Sequence, residues 1–249
     1  MRLTLLIFFI PHLLYASTWK ERYKNYQDVF ASLTPLEGCV STKGEPLLSF
    51  EKLSQNPKGK RILVLSLIHG NEPAAGDMGF RWIKRLIRIQ PHNSWLILPV
   101  VNPDGVEAQT RTNANGVDLN RHFPTENWDT LAHAAWKNAG SPKAKFPGHK
   151  AGEESEMRCL LKIIDEYKPD LIASLHIPFG LLDYDGPGKV PAFLPMKWKR
   201  LGHYPGSLGR YAWAERKIPV ITVELPESTS EALLKKMDRF QDELSYLAK

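Results

Sequence analysis

The run at residues 62–68, Ile-Leu-Val-Leu-Ser-Leu-Ile, is apolar on both faces that a strand would present, so a strand there must be covered on both sides. That requirement calls for a sheet packed between helices. It also puts the residues that follow, His69, Gly70, Asn71 and Glu72, at the strand's carboxyl end, where α/β sheets bind ligands. An imidazole and a carboxylate three residues apart, leaving one rigid element, can reach a single metal ion. A His-x-x-Glu pair is common by chance, so its meaning depends on partners further along the chain.

The rest of the chain reads as apolar strands alternating with helices. Residues 18–33 have helical periodicity, with Trp19, Tyr23, Tyr26 and Phe30 on one face. Residues 38–50 read as a hairpin turned at Gly44. Pro73 suits the first turn of a helix running to about Gln90, and a buried strand follows at residues 95–101, ending in the turn sequence Asn-Pro-Asp-Gly at 102–105. An acidic-first helix spans about 152–167, the strand at 171–175 is closed by His176, and a last strand at 219–223 delivers Glu224. Ser228 with Glu231 forms a capping box for the final helix.

A chain of 249 residues suits one α/β domain, over residues 18–249. Before it, Arg2 precedes an apolar stretch ending in Ala16 and Ser17. That pattern reads as a secretory signal peptide over residues 1–17, with an uncleaved anchor as the alternative. The stretch is short and interrupted by Pro11 and His12, which disfavours a membrane span. Export to the periplasm or beyond would allow Cys39 and Cys159 to form a disulfide, and two buried thiols are the other reading. The net charge of +6 is scattered, with no basic-aromatic array of the kind that binds nucleic acid.

The polar residues at strand ends make a chemical set. His69, Glu72 and His176 offer two imidazoles and a carboxylate, the donors of a hydrolytic zinc site that keeps a position for water. Glu224, held near the metal but outside its coordination shell, is the candidate general base. The other histidines are assigned no metal role.

The order His-x-x-Glu (69–72), Asn-Pro-Asp-Gly (102–105), Gly-Val-Asp-Leu-Asn-Arg (116–121), His176 and Glu224 resembles the zinc carboxypeptidases of the carboxypeptidase A type. The likeness runs from about Gly38 to the end of the chain. Asn113 to Arg121, then Phe123 and Pro124, and Asp183 to Pro187 are most similar to the murein peptide amidase branch. The resemblance implies a three-layer α/β fold with a mixed, mostly parallel sheet, one Zn2+, and hydrolysis of cell-wall peptides between γ-D-glutamate and meso-diaminopimelate. A carboxypeptidase acting on other peptides, or on another wall-peptide bond, is the alternative, and a non-catalytic wall-binding relative is a third reading.

The same resemblance assigns Arg111 to the charge that develops on the scissile carbonyl. Arg121, helped by Asn120, would hold the substrate's free carboxylate through its planar guanidinium. A tyrosine about 20 residues before the catalytic Glu closes over substrate in that family. Tyr204 lies 224 − 204 = 20 residues before Glu224, and Tyr211 is its competitor. Asp183 and Asp185 are candidates to pair with the diaminopimelate amine. His122 stands where the family pattern has Asn, and residues 177–179, Ile-Pro-Phe, make the mouth beside His176 more apolar, so both bear on substrate choice.

Overall fold

The computed structural model describes residues 18–187 and 196–247, so the expected signal peptide lies outside the described residues. The lead-in helix is broken rather than continuous: α1 (Thr18–Arg22), a 3-10 turn (Lys24–Tyr26) and α2 (Gln27–Phe30). Its aromatic face nevertheless converges on one ring. Trp19, Tyr23, Tyr26 and Phe30 all lie with ring centroids 4.9–6.3 Å from that of Phe80, which fastens the segment to α3 (Pro73–Ile87).

β1 (Thr34–Val40) and β2 (Pro46–Lys52) form the expected antiparallel hairpin. Its turn passes Gly44 at φ +87°, a conformation that costs glycine little. The remaining strands are β3 (Arg61–Ser66), β4 (Ser94–Leu98), β5 (Leu171–His176), β6 (Phe179–Asp185), β7 (Lys197–Trp198) and β8 (Val220–Pro226). The sheet order is β1-β2-β4-β3-β5-β8-β6-β7. Its centre, β4-β3-β5-β8, is parallel, whereas β2 joins β4 and β6 joins β8 antiparallel. A sheet with a parallel centre and antiparallel flanks matches the mixed α/β architecture expected.

Side chains that alternate along these strands divide between two cores. Ile62 and Val64 pack with residues of α3 and of α7 (Glu231–Leu247), while Leu63 and Leu65 pack with residues of α6 (Ser155–Tyr167). β3 is therefore covered on both faces, the condition that the apolar run imposed. Cys39 and Cys159 are buried, free and in side-chain contact where β1 meets α6, and burial followed by that contact pushes the Cys159 thiol up to about 12.

Three local readings change. Asn102 opens a short helix, α4 (Pro103–Ala108), instead of a simple turn: its side-chain oxygen accepts the Gly105 N–H at 2.9 Å. The cap of α7 sits two residues later than expected, where the Ser230 hydroxyl accepts the Leu233 N–H. Residues 179–185, given no element from the sequence, form strand β6.

α4 is what fixes the loop after β3. Val101 and Asn102 donate their N–H groups to Ser66 and Leu67 carbonyls, and the Asn102 amide donates to the Ile68 carbonyl. Leu67 is held at φ +52°, a left-handed conformation uncommon for such a side chain. A Cβ on Gly70 would lie 1.9 Å from the Gly105 carbonyl carbon, so the two loops touch backbone to backbone. Gly70→Ala is therefore expected to destabilise the protein by about 1–3 kcal/mol and to weaken metal binding through His69 and Glu72. Urea denaturation and metal titration check this, and an unchanged midpoint would show that the contact is not needed.

Candidate active site

The sheet register lays out the site in rows. On β5 and β8 the residues sharing the α6 side are polar toward the carboxyl ends, and His176 is paired with Glu224 and Ser174 with Thr222. β6 extends both rows, with Leu181 opposite Glu224 and Asp183 opposite Thr222. Beyond α6 this face is open, and it forms the floor of a cleft of about 560 Å³ bounded by the loops that carry Arg111, Arg121 and Tyr204 and by α5 (Trp128–Asn138).

His69, Glu72 and His176 meet in this cleft, all buried, with their ligand atoms within 4.8 Å of one another. His69 Nδ1 is 2.8 Å from Glu72 Oε1, and His176 Nδ1 is 2.9 Å from Glu72 Oε2. Each ring is fixed from its other side. His69 Nε2 lies 3.1 Å from Asp118 Oδ1, and His176 Nε2 lies 2.9 Å from the Ser174 hydroxyl. Such outer partners set the tautomer and aim of metal-binding imidazoles. Burial alone would raise the Glu72 carboxyl, but the two imidazoles overcome it and hold the group well below the usual carboxylate range. Two nitrogens and an ionised oxygen, converging and held from behind, are donors that fit Zn2+.

Glu224 lies beside this set with its carboxyl pushed up to about 7, first by burial and then by the charge of Glu72. Its Oε2 is buried with no hydrogen-bond partner among the described residues, so one oxygen is available to a proton from a ligand. Arg111 donates Nε–H to Asp118 Oδ2 at 2.9 Å, and its Nη1 lies 3.8 Å from Glu72 Oε1. Arg121 lines the same cleft, its guanidinium 4.8 Å from the Tyr204 ring centroid. The Asn120 side-chain oxygen accepts the Leu208 N–H at 2.9 Å, which fixes that amide.

The two candidate tyrosines separate cleanly. Tyr204 is half exposed and lines the cleft, whereas Tyr211 is buried against Phe123 and takes a hydrogen bond from Arg216. Asp183 and Asp185 both line the cleft from β6, and Phe179 stands exposed at its mouth.

His122 does not belong with them. It is fully buried, with Nδ1 2.6 Å from the Pro147 carbonyl and Nε2 accepting the Glu154 N–H. Burial lowers its pKa, and the neutral ring ties together the loops at 122, 147 and 154. Its departure from the family pattern is thus met by packing and does not reach the substrate cleft. Sequence reasoning gave no role to Asp118 or Ser174. The signals were there, since Asp118 lies inside the Gly-Val-Asp-Leu-Asn-Arg motif and Ser174 shares a strand face with His176.

A family model described as zinc carboxypeptidase matches residues 33–181. Murein peptide amidase A of Vibrio campbellii is 31% identical over 240 residues, covering 88% of this chain and 94% of that protein. Murein peptide amidase A of Escherichia coli K12 is 33% identical over 147 residues, 55% of this chain and 60% of that protein. Among solved structures, a murein-tripeptide amidase from Escherichia coli O157 superposes with a TM-score of 0.65 at 23% identity, covering 86% of this chain and 91% of the other. Carboxypeptidase A from Helicoverpa armigera gives 0.66 at 20% identity, covering 92% and 71%. By the family match over residues 33–181 and the near full-length relative, this chain belongs to the zinc carboxypeptidase family.

Proposed function

We propose that this protein is an exported enzyme that uses one zinc ion to hydrolyse murein peptides at the bond between γ-D-glutamate and meso-diaminopimelate. The observation that carries the reading is the convergence of His69, Glu72 and His176 beside a buried carboxylate with a free oxygen, Glu224. The near full-length relative named murein peptide amidase A supports the substrate class. The apolar stretch at residues 3–16 supports export.

His69, Glu72 and His176 would hold the zinc, which supplies Lewis acidity toward water and toward the scissile carbonyl. The other steps belong to the chain's own groups. Glu224, pushed up to about 7, is suited both to take a proton from attacking water and to give it to the departing amine near neutral pH. Arg111, steered by Asp118, places a permanent positive charge beside the carbonyl oxygen as it becomes negative. Arg121 binds the free carboxylate of the residue to be released, which makes the enzyme act at a chain end. Tyr204, half exposed over Arg121, covers the bound carboxylate and excludes water. Asn120 completes the clamp.

Purified mature protein is expected to carry about one zinc, the number a three-ligand catalytic site holds, and to lose hydrolysis with a chelator. Full activity in metal-free protein would end the reading. Glu224→Gln should keep fold and zinc content and lower kcat by about 10²–10⁴-fold, and normal turnover in that variant would remove Glu224 from the role of base. Incubation with L-Ala-γ-D-Glu-meso-diaminopimelate should release diaminopimelate, identified by mass. Faster release of a terminal residue from ordinary α-linked peptides would instead make the protein a general carboxypeptidase.

A further inference from the structure

We propose that Asp183 is the residue that selects the substrate's side chain, and that it takes one ending in an ammonium group. The inference rests on the peptidase reading above and divides the labour between two acids of the cleft that sequence alone treats alike.

Asp183 and Asp185 project from the same face of β6, but their surroundings differ. Asp185 is already matched: its Oδ1 lies 2.7 Å from His203 Nε2, and the backbone at Gly209 packs against its Oδ2, since a Cβ there would lie 2.3 Å away. Asp183 has no such partner. Its Oδ2 accepts the Leu201 N–H at 3.0 Å, and its Oδ1 is buried without any hydrogen bond among the described residues. The side chain is only 3% exposed, and it forms no ion pair among those residues. Burial raises its carboxyl and the nearby Asp185 adds to that, while the Leu201 N–H first and then His203 only partly offset it. A buried carboxylate oxygen left open in a ligand cleft is an unfavourable arrangement that a hydrogen-bonding cation relieves.

Its position suits a side-chain subsite. Asp183 is in the row of Thr222 and Ser174, and Glu224 and His176 are in the next. Two residues along a strand is about 7 Å, within reach of an ammonium on a side chain of about four carbons. Arg121 holds the carboxylate at the other end of the same residue. Glu224 Oε2 and Asp183 Oδ1 are the two side-chain oxygens of this cleft that are buried without a partner among the described residues. The first serves the reaction, and the second reads the residue being released.

The test uses zinc-loaded protein and peptides of the form L-Ala-γ-D-Glu-X, where X is meso-diaminopimelate, lysine or its uncharged counterpart norleucine. Wild type should prefer the lysine peptide to the norleucine peptide by about 100-fold in kcat/KM, and Asp183→Asn should bring the two close to equality. Asp185→Asn should keep the preference. Calorimetry with free lysine and norleucine gives a second readout, in which only lysine binds and Asp183→Asn abolishes the difference. Equal use of lysine and norleucine by wild type, with Glu224 still required, would overturn the proposal and leave the peptidase reading intact. Hydrolysis of no peptide would overturn the peptidase reading, and the calorimetric comparison would then decide the role of Asp183. The wild-type comparison decides the proposal even if Asp183→Asn fails to fold.

Discussion

One buried carboxylate organises the centre of this molecule. Asp118 is fully buried, yet its two oxygens serve three groups: Oδ1 receives His69 Nε2 and the Asn120 N–H, and Oδ2 receives the Arg111 Nε–H. Burial would raise its carboxyl, but His69 first and then the two arginines keep it ionised, well below the usual range. A charge so placed is tolerable only because every neighbour is a donor or a cation. In return it aligns the His69 imidazole, the Arg111 guanidinium, and the short 3-10 turn (Leu119–Arg121) that carries Asn120 and Arg121. Groups from two chain segments, the loop after β3 and the stretch between α4 and α5, are thus brought to one geometry by a single side chain.

The sheet supplies the second layer of order. Because strand side chains alternate, β5, β8 and β6 can bury apolar residues against α3 and α7 while turning Ser174, His176, Thr222, Glu224, Asp183 and Asp185 to the opposite face. The cleft floor costs the α3 side of the core nothing. The register also grades the floor by depth, with the reaction row nearest the strand ends and the selecting row one step inside. A slip of one residue in β8 would send Glu224 into the apolar core, so the same pairing that stabilises the sheet enforces the catalytic arrangement.

What the sequence revealed follows from how each residue is displayed. His69, His176 and Glu224 come directly after or within apolar runs that read as strands, and the family motifs add Arg121 and Asn120. Asp118 acts on a residue 49 positions away, a contact that leaves no mark in periodicity, whereas Ser174 is two positions from His176 on one strand face and was legible in the strand's alternation. β6 escaped because an antiparallel strand with one polar face that ends in Asp-Tyr-Asp-Gly-Pro looks like a turn. His122 sits beside Arg121 in the motif, but adjacent residues in a tight turn point in different directions, so one enters the cleft and the other the packing between loops. Spacing favoured Tyr204, 20 residues before Glu224, with Tyr211 as competitor, and the structure places Tyr204 in the cleft and Tyr211 in the packing.

The cleft is also polarised across its width. Arg111 and Arg121 reach it from the loop between α4 and α5, whereas Asp183 and Asp185 reach it from the sheet floor. meso-Diaminopimelate ends its side chain in an ammonium and a second carboxylate, which must turn away from Asp183, whereas a lysine-type residue, with only an ammonium there, fits this field in one direction only. Reversed, it would set a carboxylate against Asp183 and an ammonium against two guanidiniums, and like charges in contact with little water between them are strongly disfavoured. Discrimination therefore comes as much from what the cleft repels as from what it binds. The distance between the two poles, set by strand register, then fixes the length of side chain that satisfies both.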